Sequence, residues 1–332
     1  MPDVVTLGDI NVDLIARVPF YPLPGGDSLA EGVDVRAGGS AANTAVVLGK
    51  FGLEVSILAR VGDDVLAQQI LPDLERVGVD LSLVQRDPER RTGLIFAAVT
   101  PDGERTFFSC RGANTRSVLQ SEDLDQIRGA KVLHVSGYAL VEGPQRDAAL
   151  QAMEEAHASG VPVSLDLGIE VTTTRRDEIV EMLALVSMVF PNQAVAQWLT
   201  GQGSAQESVQ ALLSLGPDLA GLKMGDEGCL FGVPGEIFQV PAFKVDPVDD
   251  TGAGDSFDAG LILGRIGPLS LRESGLLANA LGALATAVTG AGDGLPGPRE
   301  ALSFLEERRK DSEWQDWSAE LSGVCDYLRK VV

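Results

Sequence analysis

The chain has 332 residues, 45% apolar and 22% charged. That balance excludes a disordered chain and leaves ample material for a large core, in two domains or one large α/β domain with an insertion. Lys and Arg number 26 against 48 Asp and Glu, a formal net charge of −22, so neither nucleic acid nor an anionic membrane is an expected partner. A small anionic ligand stays open, because charges beyond about 8 Å are screened at physiological salt.

Cys110, Cys229 and Cys325 lie far apart and form no C-x-x-C pair, which points away from a disulfide framework or thiolate zinc site and toward a reducing compartment. The opening residues MPDVVTLGDINVD carry no long apolar stretch, and no run of 18 apolar residues occurs anywhere. The expectation is a cytoplasmic protein without signal peptide or transmembrane helix.

In chain order, short β-branched runs at 4–8, 55–61, 131–136, 161–167, 187–190 and 219–224 read as strands. Amphipathic patterns at 40–51, 64–77, 144–159, 175–185 and 205–213 read as helices between them. This alternation predicts a mainly parallel sheet covered on both faces. Ser40 is the expected N-cap and Gly52 the expected C′ residue of the first helix, while Pro72 should kink or split the second.

Two stretches break the rhythm. Residues 10–36 hold Pro19, Pro22, Pro24 and the Gly25-Gly26 pair among short extended runs, and residues 92–110 read as a hairpin around Pro101-Asp102-Gly103. Paired with one another, they would form a small separate sheet, a lid over a site. Beyond residue 254 the patterns are helical, at 254–266, 270–288 and 299–310, and residues 311–332 read as one further helix carrying Trp314 and Trp317.

The strongest chemical signal is DDTGAGDSFDAG at 249–260. An extended segment at 243–248 enters a turn of small residues, and a helix follows. The glycines permit close backbone approach, and the first helical turn presents unpaired N–H groups with about half a positive charge, a cradle for an anion. Asp255 in that first turn is stabilised as a carboxylate and could take a proton from a hydroxyl. A plain Gly-rich turn with an N-terminal helix acid explains the segment equally well. Phe257 stands where a dinucleotide fingerprint needs glycine, and Phe51 follows Gly49-Lys50, so neither that fingerprint nor a P-loop is present.

AGGSAAN at 37–43 also leads into a helix. Gly38 and Gly39 would let a ligand rest on backbone and Asn43 offers an amide to vicinal hydroxyls, although close helix packing accounts for the same residues. GDINVD at 8–13 sits at the end of the first strand, where α/β sheets gather ligands, with Asn11 and Asp13 on one face. A solvated strand end is the bland alternative.

In this order and spacing, GDINVD, AGGSAAN and DDTGAGDSFDAG resemble the ribokinase-like (PfkB) family of carbohydrate kinases, over residues from about 4 to 310. The resemblance implies a three-layer α/β/α fold with a mainly parallel central sheet and a small β-sheet lid. It implies a kinase domain at 1–310, with lid segments at about 10–36 and 92–110, and a helical extension at 311–332. Its activity would be ATP-dependent transfer of a phosphoryl group to a hydroxymethyl group of a small sugar or sugar-like acceptor. Asp255 would be the base, and the amides of Gly252, Ala253 and Gly254 the anion hole. Asp13, Gly38, Gly39 and Asn43 would meet sugar hydroxyls. Asn192 would lie near the phosphates, Lys223, Gly225 and Gly228 (K-x-G-x-x-G) would form the nucleotide loop, and Asn279 would lie beside the adenine. Mg²⁺ would accompany ATP, a K⁺ requirement is left open, and a homodimer through the lid is an expectation of the same kind. No protein residue is assigned as a metal ligand.

Three positions depart from the family pattern. Val195 replaces the Glu of N-x-x-E, Asp166-Leu167-Gly168-Ile169 stands where an Asp-Pro-Asn run is usual, and Asp250 replaces a Thr. Arg111, after the lid hairpin, offers a bidentate grip for the carboxylate of a sugar acid, against a bland surface role. His134 and His157 read as core and surface residues. A nucleoside kinase, with Phe20, Tyr21, Phe107 and Phe108 around a base, is the runner-up. A non-catalytic sugar or nucleotide sensor is a third reading. Hydrolysis through Gly38-Gly39-Ser40-Ala41-Ala42 would need a late histidine, and none follows His157.

Overall fold

Strands and helices alternate along most of the chain, as the apolar periodicity requires. The computed structural model describes residues 1–101, 105–168, 175–288 and 290–332; Asp102, Gly103 and Ile169, named above, lie outside them. The elements are β1 (Val4–Leu7), β2 (Asn11–Arg17), β3 (Gly32–Gly38), α1 (Ser40–Lys50), β4 (Val55–Gly62), α2 (Val65–Arg76), β5 (Val79–Asp80), β6 (Val84–Asp87), β7 (Gly93–Val99) and β8 (Arg105–Cys110). They continue with α3 (Ser121–Gly129), β9 (Val132–Ser136), α4 (Gly143–Ala158), β10 (Val163–Leu167), α5 (Arg176–Met182), β11 (Met188–Pro191), α6 (Gln193–Thr200), α7 (Ala205–Ser214), β12 (Leu219–Lys223), β13 (Cys229–Val233) and β14 (Glu236–Val240). The last helices are α8 (Ala253–Ile266), α9 (Leu271–Thr286), α10 (Pro298–Arg308) and α11 (Ser318–Val331).

The main sheet runs β14-β13-β12-β11-β10-β9-β1-β4-β5, with β6 also paired to β4. From β12 to β5 its pairs are parallel, and β13 and β14 add an antiparallel edge. Strand alternation divides the core between two faces. Val55, Ile57, Ala59 and Val61 of β4 join the helices α1, α2 and α8 to α11, whereas Leu133 and Val135 of β9 and Leu165 of β10 face α4 to α7. This is the expected three-layer arrangement. The chain leaves β1 for β4 on one side and later fills β9 on the other, so β1/β9 is the switch point where an α/β sheet opens a crevice.

The second sheet, β3-β2-β7-β8, stands apart. β2 pairs in parallel with β7, placing Asp13 opposite Ile95, and β7–β8 is the expected hairpin. The two excursions therefore do meet in one small sheet.

Several local expectations need correction. Ser40 is not the N-cap of α1 but its first residue; Gly39, at φ +99°, takes the cap position without a side-chain bond. Pro72 does not split α2, whose buried Ile70, Leu71 and Leu74 hold the helix on the core at the loss of one backbone bond. Residues 311–332 form a 3₁₀ turn at Ser312–Trp317 and then α11 rather than one helix. Leu321, Val324, Cys325 and Leu328 join the same core as α9 and α10. The hairpin β13–β14 and the helices α3 and α6 were not foreseen. Among the described residues no helix is long and apolar enough to cross a membrane.

Candidate active site

The carboxyl ends of β1, β10 and β12, the amino end of α8 and the inner face of the lid converge on one crevice. Gly252 adopts φ +78°, ψ 1°, a left-handed turn that swings the chain into the 14-residue helix α8 without a side-chain cap. The Ala253 amide closes this turn on the Asp250 carbonyl at 3.2 Å, while the amides of Gly252 and Gly254 have no protein acceptor among the described residues. A helix amino terminus with free N–H groups favours an anion.

Asp255 lies in that first turn, and its Oδ2 accepts a 2.7 Å hydrogen bond from Nδ2 of Asn43 on α1. Burial and the nearby Asp166 push its carboxyl up to about 6, with the Asn43 amide and Lys223 opposing the rise. A base whose proton affinity lies close to neutrality accepts and releases a proton at working pH. Asn43, expected on a sugar hydroxyl, is thus bonded to Asp255, and its Oδ1 accepts from the Gly292 amide at 3.4 Å.

The lid side of the crevice carries Asp13, buried on β2 with Oδ1 unpaired. Burial, with Asp255 and Asp249 nearby, pushes its carboxyl up to about 7. A Cβ on Gly38 would stand 2.2 Å from Asp13 Oδ2, and one on Gly39 would stand 2.2 Å from the Asp9 carbonyl. The first glycine therefore makes room for Asp13, and the second lets the chain pass the end of β1. Asp13, Ile15, Ile95, Ala97, Val99, Arg105, Phe107, Asp249 and Thr251 line a cavity of about 20 Å³, space for roughly one water.

Arg105, at the start of β8, fills much of this side. It pairs with Asp249 and Asp250 and donates to Thr251 Oγ1 at 2.9 Å, fastening the lid to the segment that precedes α8. Asp249 also accepts from the amides of Thr251 and Gly290, both at 2.8 Å. These bonds and the Arg105 charge outweigh burial and hold its carboxyl below the ordinary range. Sequence reading missed Arg105, although Asp250, in place of the family Thr, is its visible counterpart.

Arg111 is partly committed within the fold. Its Nε and Nη2 clasp Asp9 at 3.1 and 2.9 Å, and Nη2 also bonds Gln145 Oε1 at 2.5 Å. Asp9 thus takes two of its nitrogens, while Nη1 is buried without a hydrogen-bond partner among the described residues. Asn11 likewise serves the fold, accepting from Asn114 Nδ2 at 2.8 Å.

At the positions the resemblance assigns to the nucleotide, Asn192 caps α6, its Oδ1 accepting from the Val195 amide at 2.8 Å. Gly225 and Gly228 turn at φ +60° and +88°. A Cβ at Gly225 would meet nothing within 4 Å, leaving open space above that turn. Asn279 Nδ2 donates to the carbonyls of Val240 and Pro241 at 3.2 and 2.9 Å, fixing the segment that runs toward Asp249. Lys223 does not project into the loop. Its Nζ lies 2.7 Å from Asp166 Oδ1 and 3.1 Å from Asp258 Oδ1. Burial alone would lower its proton affinity, but the two carboxylates hold the ammonium above the ordinary lysine range. Neither Asp166 nor Asp258 was singled out as its partner from sequence.

Val195 is buried where the family pattern has a carboxylate. Among the described residues no group of three or more His, Cys, Asp or Glu side chains converges as a metal cage. The Mg²⁺ that accompanies ATP keeps several waters and rides on nucleotide phosphates rather than on a dedicated protein cage. His134 is fully buried, with Nδ1 3.0 Å from Ser164 Oγ, and burial lowers it to about 4, a core role.

Comparison with known proteins bears on this geometry. Residues 1–298 match the family described as pfkB family carbohydrate kinase. The chain is 32% identical to fructokinase-1 of Zea mays over 322 residues, covering 92% of this chain and 98% of that one. The structure of Arabidopsis thaliana ribokinase complexed with ribose and ATP superposes with a TM-score of 0.80 at 26% identity, covering 92% of this chain and 99% of that one. Adenosine kinase from Sinorhizobium meliloti gives a TM-score of 0.78 at 26% identity, covering 92% and 99%. With motifs, fold and family match in agreement over nearly the whole length, the chain belongs to the pfkB family of carbohydrate kinases.

Proposed function

We propose that Asp255 is the base and the turn at 252–254 the anion site of a kinase acting on a hydroxymethyl group of a neutral sugar. The chain is an ATP-dependent carbohydrate kinase. In this reading Asp255 takes the hydroxyl proton as the oxygen attacks the γ-phosphorus, and Asn43 holds the carboxylate toward the acceptor. The free amides of Gly252 and Gly254, with Ala253 between them, meet charge growing on the phosphoryl oxygens. Mg²⁺ bound with ATP supplies neutralisation of the phosphate charge. Asn192, Gly225, Gly228 and Asn279 border the nucleotide.

One observation carries the assignment: a carboxylate in the first turn of α8, raised to about 6 and beside two unpaired amides. Asp13, with its unpaired oxygen, and the backbone of Gly38 and Gly39 receive the acceptor's hydroxyls. The charge of the pocket favours a neutral acceptor over a sugar acid. Arg111 is matched by Asp9, Arg105 by Asp249 and Asp250, and Asp13 adds a further carboxylate. A sugar needs more than the present cavity, so it enters when Arg105 and β8 withdraw, and reclosure excludes water.

The catalytic unit is 1–310, with 311–332 as an extension packed onto it. The lid leaves Val33, Val35, Phe107 and Phe108 exposed beside the edge strands β3 and β8, which supports a homodimer through that sheet. Free thiols at Cys110, Cys229 and Cys325 and the use of ATP suit a cytoplasmic enzyme. An ADP-release screen over ketohexoses, pentoses, 2-keto-3-deoxy acids and nucleosides, with and without K⁺, tests the acceptor. The fastest turnover is expected with a neutral ketohexose or pentose. Preference for a nucleoside would install the runner-up reading, and ligand binding without ADP release would install the sensor.

A further inference from the structure

Lys223 ends β12 beneath the turn that starts α8. Its ammonium spans two elements, reaching Asp166 on β10 at 2.7 Å and both carboxylate oxygens of Asp258 on α8 at 3.1 and 3.3 Å. Asp258 is 0% exposed and stands one helical turn beyond Asp255, on the same face. A Cβ on Gly254 would lie 3.5 Å from Lys223 Nζ, so the ammonium abuts the anion turn itself. Reaching out to a nucleotide would strip the buried Asp258 carboxyl, already raised by burial, of its hydrogen-bonding cation and leave it without a polar partner among the described residues.

We infer that Lys223 is a positioning residue for Asp255 and the anion turn, tying β12 to β10 and α8 and placing a positive charge under the base, and that it is not a nucleotide ligand. This rests on the reading of Asp255 as the base. The groups around Asp255 show why the charge is needed. Asn43 and Thr44 face it from α1, the latter donating to the Asp255 carbonyl at 3.4 Å. Asp166 faces it from β10, Lys223 from β12 and Asp258 from its own helix, while Asp13 on β2 couples to it and Asp249 in turn to Asp13. His134 on β9 is neutral and interacts with Asp166 and Lys223. Carboxylates dominate this list, and Lys223 is the cation that opposes them at Asp255. Removing it makes the base harder to ionise, so the acidic limb of the rate profile moves to higher pH.

The test uses full-length Lys223→Met, Lys223→Gln and Lys223→Arg enzymes, with Asp255→Asn as a control. Lys223→Gln keeps hydrogen bonds to both aspartates without the charge, and is read in place of the Met variant if that one fails to fold. KM for ATP, KM for the sugar and the pH dependence of kcat/KM are measured. Met and Gln variants are expected to shift the acidic limb upward by about one pH unit, about tenfold in rate on that limb, with KM for ATP unchanged. The Arg variant should restore the limb. A folded variant whose KM for ATP rises about tenfold while the limb stays in place would overturn the inference and make Lys223 a nucleotide ligand. A variant that loses only thermal stability, with both readouts unmoved, would overturn it in favour of a purely structural tie. Near-normal turnover of Asp255→Asn would instead remove the base assignment, whatever the Lys223 variants do.

Discussion

Asp255→Asn should move activity and stability in opposite directions. The amide keeps the size of the carboxyl and an oxygen for the Asn43 hydrogen bond, so the geometry persists while the proton acceptor is lost. General-base help is worth about 10²–10⁴-fold, and a hundredfold loss corresponds to about 2.7 kcal/mol of barrier. Folding responds the other way. The Asp255 carboxyl rises from the ordinary 3.8 to about 6 in the folded protein, and each unit is worth about 1.36 kcal/mol. The ionised group therefore costs up to about 3 kcal/mol, less where water reaches it. Because the folded state binds this proton more tightly than the unfolded chain, the cost is complete above about pH 6 and vanishes below about pH 4. The variant should resist urea better than the parent at about pH 8, with the difference fading through that window. Coupled ADP assays give kcat, and urea melts across pH give stability. Turnover within about tenfold of the parent, short of the effect of a lost general base, would refute the role given to Asp255.

Three further outcomes follow from the contacts. Assayed at about pH 8, above the raised Asp13 value of about 7, Asp13→Asn exchanges a charge-assisted for a neutral hydrogen bond to the acceptor and should raise the sugar KM about tenfold or more, leaving the ATP KM unchanged; an unaltered sugar KM would take Asp13 out of the acceptor site. Arg105→Ala unfastens the lid from Asp249 and Asp250, so the sugar KM should rise and sugar-independent ATP hydrolysis should appear as water enters. ADP release without sugar at the parental level would contradict that. Trp314, 4% exposed and stacked on Phe243 with ring centroids 4.2 Å apart, anchors the extension; Trp314→Ala should cost about 3–5 kcal/mol in a denaturant melt.

Much of the fold was legible because strand periodicity and length are local properties. The runs in β1, β4, β9 and β10 alternate between two apolar faces, and the Pro- and Gly-rich excursions could not be crossover helices, so a separate lid followed. The hairpin β13–β14 escaped attention although Pro234-Gly235 marks its turn. The helix α3 buries only Asp123 and Ile127 over nine residues and offers just two large apolar side chains, Leu124 and Ile127, among polar ones. At the site, residue types and their grouping were readable but their commitments were not. Arg111 meets Asp9 across a sequence separation of 102 residues, and Lys223 meets Asp166 across one of 57. A lone basic residue in sequence therefore gave no sign that its charge was already taken. Gly39 illustrates the same limit: only its approach to the Asp9 carbonyl shows why the cap falls there and not on Ser40.

The most direct measurement is a crystal structure of the enzyme with ADP, aluminium fluoride and the best acceptor found by the screen. The planar fluoride is predicted to rest on the free amides of Gly252 and Gly254, with the sugar's primary hydroxyl within hydrogen-bond reach of an Asp255 oxygen and other hydroxyls on Asp13. A fluoride bound away from α8, or a sugar whose reactive hydroxyl faces a different side chain, would contradict the account.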